Sequence, residues 1–282
     1  MYYFFLTWKF KILFLSACAV FPAAALIGSA FAAVYFASLS AGYFSLYCSR
    51  LGVLDTIKLN MQELVKGVYP AYFNKISFLL DINAQAKFYE TLSFLFLFYC
   101  AISAVAYIAG GGFSTLRGAA KRVILVSAVF LAAGLFAPLL AIKASGDIPV
   151  IGGTSILKFQ SKGIIETISR LFDGGYLLPA LLILLFSVIV PALKIILCYL
   201  AVNSNGGGQR YKAALKAIGK WSMADVFTAS IILAYLAFGA DKFTDAWLLS
   251  GFYFFCGYCL ISLAVAQIAT FEAAGGAADS EK

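Results

Sequence analysis

The sequence predicts an all-α integral membrane protein of about six transmembrane helices, and three observations carry that expectation. Residues of the hydrophobic class make up 63% of the 282 positions and charged residues only 12%, about half the charge a soluble domain uses to coat its surface. Mean hydropathy is +0.93. The apolar residues are gathered into runs near the ~20 residues that cross a bilayer as a helix.

Six runs qualify: Ile12–Ser38, Phe88–Ala109, Val123–Ile142, Tyr176–Val202, Val226–Gly239 and Trp247–Ala269. Lys9 and Lys11 precede the first, as in a signal peptide. The run is longer than the ~7–15-residue signal core, so it reads as an uncleaved anchor, with cleavage near Ala30–Ala33 as the alternative. The segment 39–87 reads as an outer loop in which Leu51, Leu54, Ile57, Leu64, Val65 and Val68 recur at helical spacing. That pattern suits an amphipathic helix on the bilayer surface, or equally a partly buried packing helix. Tyr69, Tyr72, Phe73 and Phe78 follow, aromatic as an interface requires.

The second outer segment, 144–175, opens with a short strand signal at Thr154–Gln160. A helix follows over Gly163–Phe172, ended by Gly174-Gly175. Asn203 to Gly208 reads as a linker closing the fourth span, and 272–282, rich in Ala, Gly and acid, as a disordered tail. The organisation expected is a two-span region over 1–118, a four-span module over 119–271 and that tail.

Charge sets the expected orientation. Lys9 and Lys11, then Arg117, Lys121 and Arg122, then Arg210, Lys212, Lys216 and Lys220 all fall on one face, the cytoplasmic face under the positive-inside rule. Both termini then lie inside, and the hairpin Ala240–Asp245 lies outside. A net charge of +8 is accounted for by these loops and by anionic headgroups, without nucleic acid. The chain has no histidine, which removes the usual neutral-pH proton carrier and the commonest metal ligand, so no metal or other cofactor is expected. The six cysteines sit mostly in apolar runs and read as small buried hydrophobes. Cys256-Gly257-Tyr258-Cys259 lies in mid-span, beyond reach of a soluble redox partner. No nucleophile–base spacing suggests an enzyme.

The candidate functional residues are polar ones at membrane depth. In Lys220-Trp221-Ser222-Met223-Ala224-Asp225-Val226-Phe227, Ser222 suits an N-cap, Asp225 complements the first-turn dipole, and Lys220 and Trp221 anchor the helix at the inner surface. On the plainer view this motif only starts a helix. On the sharper one, Asp225 pairs across the bundle with Lys194, because neither charge is stable alone in hydrocarbon. Snorkelling of Lys194 to the headgroups is the competing account. Pro138 in the third span and Pro191 in the fourth free backbone carbonyls and permit hinges, or only shape packing.

Residues 123–269 resemble one module of the paraquat-inducible protein A family. The matching elements are Phe136-Ala137-Pro138-Leu139-Leu140, Ser187-Val188-Ile189-Val190-Pro191-Ala192-Leu193-Lys194, and Lys220 to Phe227, including Met223. The resemblance implies four spans with a small extracytoplasmic subdomain, similar to tetraspanin-type bundles. It also implies an inner-membrane component that passes phospholipid or another lipophile to a periplasmic partner with mammalian-cell-entry (MCE) domains. Family members often carry two modules and zinc-ribbon cysteine pairs; this chain has one module and no loop C-x-x-C. A non-transporting scaffold and a small proton-coupled transporter are the alternative functions.

Overall fold

The computed structural model describes residues 2–50, 70–110, 116–148, 153–203, 230 and 244–278. Helix α1 spans Tyr2–Arg50 and α2 Pro70–Gly110, 49 and 41 residues long. Both exceed the ~20 residues a bilayer requires. They run antiparallel as a hairpin. Near one end the Cys100 thiol meets the Leu26 carbonyl at 3.7 Å. Midway the Ser93 hydroxyl donates to the Ala33 carbonyl at 2.9 Å, and further along Ser40 donates to Ala86 at 2.9 Å. Phe36 stacks on Phe96 and Tyr89, and Tyr43 on Tyr89.

This corrects the reading of 39–87 as a loop. Its described parts, 39–50 and 70–87, are the continuations of α1 and α2, held together by a small core of Tyr47, Leu79 and Ile82 with Tyr43 and Cys48 against it. Apolar side chains at helical spacing on both partners keep the hairpin zipped along this length. The expected amphipathic stretch Leu51–Val68 lies outside the described residues.

Helix α3, Leu116–Phe136, is 21 residues, about 30 Å at 1.5 Å per residue, the thickness of the hydrocarbon core. The third span therefore stops short of Ile142. Pro138 disfavours helix at the residue before it, and it stands in the turn between α3 and strand β1, Leu140–Ile148. It is not a hinge within a helix. Strand β2, Gly153–Lys162, pairs antiparallel with β1, and so does β3, Thr244–Leu248, giving the order β2-β1-β3. Trp247 consequently lies in β3, and the last helix begins at Ser250.

The expected strand and helix of the second outer segment are both present, as β2 and as α4, Ile164–Asp173. Gly175 follows in the left-handed region, φ 78°, a conformation open to glycine. The fourth span runs as α5, Leu177–Ile183, a π-helical segment, Leu184–Ile189, and α6, Val190–Asn203. The wide π turns end just before Pro191, which lacks the N–H to continue the ladder. Helix α7, Ser250–Ala278, closes the described chain. The expected disordered tail, 272–282, is corrected in part, since α7 runs through it to Ala278, and 279–282 lie outside the described residues. So does the expected fifth span, Val226–Gly239, apart from residue 230.

Among the described residues, Phe21–Arg50, Ser77–Gly110, Arg117–Phe136 and Leu177–Asn203 are helices long and apolar enough to cross a membrane, and Ser250–Val265 is a shorter apolar stretch of α7. All-helical spans satisfy every backbone group without water, which the hydrocarbon core demands. One core joins the hairpin to the rest: Leu26, Ala30, Ala33 and Cys100 pack with Val126, Phe130, Phe254 and Tyr258. Helices α3 and α7 approach closely at glycines, since a Cβ on Gly134 would stand 2.8 Å from the Phe255 amide nitrogen and one on Gly257 2.7 Å from the Phe130 ring. Small residues at such crossings are how apolar helices gain contact inside lipid.

Candidate functional site

Two places in this frame gather polar groups or open space at membrane depth. The first surrounds Lys194, which α6 turns inward so that only 6% of the residue is exposed. The snorkelling alternative is therefore set aside, because the side chain is buried within the bundle and does not reach out to solvent. Lys194 lines a cavity of about 10 Å³ with Ile124, Ser127, Ile195, Cys198, Ser262 and Val265. That volume is near the limit for a single water. Ser127, Ser262 and Cys198 are themselves buried, so two hydroxyls and a thiol share the cavity with Lys194. One and two turns away, Tyr258 donates to the Pro191 carbonyl at 3.4 Å, and the Ser187 hydroxyl, fully buried in the π segment, has no hydrogen-bond partner among the described residues.

The expected partner Asp225 lies outside the described residues, as do Lys220, Trp221, Ser222, Met223 and Phe227. Of the residues singled out in the sequence, Lys194 and Pro191 sit together in the bundle, and Pro138 stands apart at its sheet end. At the opposite end the Lys121 ammonium donates to Asn203 Oδ1 at 2.9 Å. Arg117–Arg122 and the end of the fourth span thus share one face. The sheet gathers 140–162 and 244–248 on the other.

The second place has no counterpart among the motifs of the sequence. Between α1 and α3 runs an apolar groove of about 460 Å³ lined by Ile27, Ala30, Phe31, Val34, Val129, Ala132, Ala133 and Phe136. Directly above it, along the same face of α1, a cleft of about 390 Å³ is lined by Ser38, Ala41, Gly42 and Ser45. Its other walls come from the α3–β1 turn, from Gln160 and Ser161 of β2, and from Glu166 and Arg170 of α4. Phe136 lines both compartments. Each volume falls in the ~300–1,000 Å³ range of ligand sites.

Position explains the change of character. Phe136 ends the ~30 Å helix α3 and so marks the edge of the hydrocarbon; the groove descends from it by two helical turns, about 10 Å, and the cleft rises above it. Arg170 and Glu166 form a side-chain pair at 2.6 Å, more than half exposed on the arginine side and nearly so on the glutamate. The small residues Ala41 and Gly42 keep the cleft open, and a Cβ on Gly42 would meet nothing within 4 Å. The wall formed by α1 lies in the amino-terminal hairpin, so no motif within a single segment could have revealed the site. The only sequence signal was the run of small residues on one face of α1.

The fold and these two places define a multi-pass helical membrane protein with a three-stranded sheet at one end and an apolar groove between two of its spans. A family model described as paraquat-inducible protein A matches residues 124–272, a little over half of the chain, and the protein belongs to that family. No curated protein and no solved structure matches it. The matched segment begins within α3, so the hairpin that completes both the core and the groove lies outside it.

Proposed function

We propose that the protein is the inner-membrane component of a lipid-handling system, taking phospholipid or another lipophile from the leaflet on the sheet side and presenting it to a periplasmic partner, an MCE-domain protein. The observation that supports this most is the pairing of an apolar groove at acyl-chain depth with a polar cleft directly above it. A molecule with a hydrocarbon end and a polar end fits such a pair without exposing either end to the wrong medium. In this reading the sheet face is periplasmic and both termini are cytoplasmic, in line with the lysines and arginines of 117–122. The protein acts by binding and release, without covalent chemistry and without a cofactor.

Lys194 has a different part. Its cavity is too small for lipid, so with Asp225 it forms an intramembrane pair whose protonation biases the bundle between two packings. The π segment and Pro191 beside it supply a place where the fourth span can change pitch. Transfer of a fluorescent phospholipid from proteoliposomes to the copurifying periplasmic partner tests the proposal. Ala132→Trp, which fills the groove from an exposed position, and Asp225→Asn should each cut the transfer rate sharply. Unchanged transfer in both variants at normal expression would reject the lipid-handling role in favour of a scaffold.

A further inference from the structure

From the charges around the upper cleft, we infer that the α1–α3 groove seats one zwitterionic phospholipid of the sheet-side leaflet, its phosphate at Arg170 and its cationic head at Glu166. The inference rests on the lipid-handling reading and adds the headgroup class. The cleft is lined by one guanidinium and one carboxylate, held side by side on one face of α4 by their i, i+4 spacing. Their net charge is zero and their separation is that of a hydrogen-bonded pair. A headgroup with one phosphate and one ammonium a few bonds apart presents the complementary pattern, whereas an anionic headgroup would set its second negative or neutral end against Glu166.

The remaining polar walls suit the same ligand. Ser38, Ser45, Gln160 and Ser161 offer hydroxyl and amide groups to phosphate and ester oxygens without adding charge. Below them the lining passes at Phe136 to side chains of Ile, Ala, Phe and Val alone. An acyl chain entering beside Phe136 would therefore meet only hydrocarbon down to Ile27. Phe31 and Phe136, 74% and 66% exposed, are left open in the groove and are available to cover the chain.

The test uses the full chain purified in detergent after exposure to vesicles of equal phosphatidylethanolamine and phosphatidylglycerol, with retained lipid identified by native mass spectrometry. The wild-type protein should retain one phospholipid, with the zwitterionic species favoured by about three- to fivefold, the range expected for partly exposed charge pairs. Glu166→Gln should shift retention toward the anionic lipid, and Arg170→Gln should reduce retention of both. Both side chains are well exposed, so neither change threatens the fold. Equal retention of the two lipids, with neither variant altering the ratio, would overturn the headgroup assignment. If Ala132→Trp abolishes retention in that case, the groove still handles lipid. Retention that Ala132→Trp does not reduce would remove the groove itself.

Discussion

The chamber around Lys194 and the groove between α1 and α3 lie in the same bundle yet differ in almost every physical respect. The chamber is about 10 Å³ and holds a buried lysine with two serines and a cysteine among apolar side chains; the groove is about 460 Å³ and apolar throughout. A buried ammonium among hydroxyls is a place where charge is tightly controlled, because changing its protonation or its partner costs several kcal/mol in low dielectric. An open apolar furrow is a place where a hydrophobic object can enter and leave with little rearrangement. On the proposed reading the difference would divide the work, with charge held between the third, fourth and last spans and lipid taken up between the module and the hairpin. A second contrast reinforces it. At Gly134 and Gly251 backbones approach until no Cβ fits, and at Gly257 the Phe130 ring fills the space, whereas at Gly42 the space is empty.

The largest expected effect comes from breaking the tight side of that contrast. In Gly251→Val the new Cβ would stand 2.6 Å from the Pro138 carbonyl oxygen and 2.7 Å from that of Ala137. These are backbone atoms that cannot rotate away. The substitution should cost about 3 kcal/mol or more, visible as a large drop in thermal unfolding temperature in detergent. A next step down, Ala132→Trp should remove most retained lipid while leaving the unfolding temperature within the ~0.5 kcal/mol scatter of exposed substitutions. Unfolding of this variant would instead mean that the groove is a packing seam.

Lys194→Met should separate the two places functionally. Lipid transfer should fall while native mass spectrometry still finds phospholipid bound; loss of bound lipid as well would merge the chamber with the lipid path. Ser93→Ala is expected to cost about 1–2 kcal/mol, since it strips hydrogen bonds from the Ala33 carbonyl and the Ser250 hydroxyl, 2.7 Å away, at a buried junction of α1, α2 and α7. Chemical denaturation reads that change. The smallest effect belongs to Gly42→Ala, whose added methyl meets open space. Stability should hold or rise by up to about 1 kcal/mol from helix propensity.

The described spans were legible in the sequence because a run of ~20 apolar residues is too long for an ordinary soluble core helix and matches the depth of a bilayer. Strand β1 was not, since Leu139-Leu140-Ala141-Ile142 continues the apolar run of α3, and periodicity cannot tell a short buried strand from a helix end. Pro138 carried the missing information: a helix tends to end before the residue preceding proline. The extension of the hairpin was hidden by polar residues such as Asp81 and Lys87, which placed 39–87 as a loop. The repeat of Tyr43 and Tyr47 against Leu79, Ile82 and Ala86 marks a packed pair. Lys194 stands out in the sequence as a costly charge inside an apolar run, but the sequence left open whether it snorkels or turns inward, and its burial in the bundle decided between them. The groove had no such signature, as its walls come from helices about a hundred positions apart and consist of residues common to any membrane span.

The central claim is that lipid occupies the α1–α3 groove, and electron cryomicroscopy of the full chain in phospholipid nanodiscs tests it most directly. The account predicts one ordered lipid with its acyl density between Ile27 and Phe136 and its headgroup beside Arg170 and Glu166. A groove closed by side chains, or ordered lipid bound only elsewhere on the bundle, would contradict it.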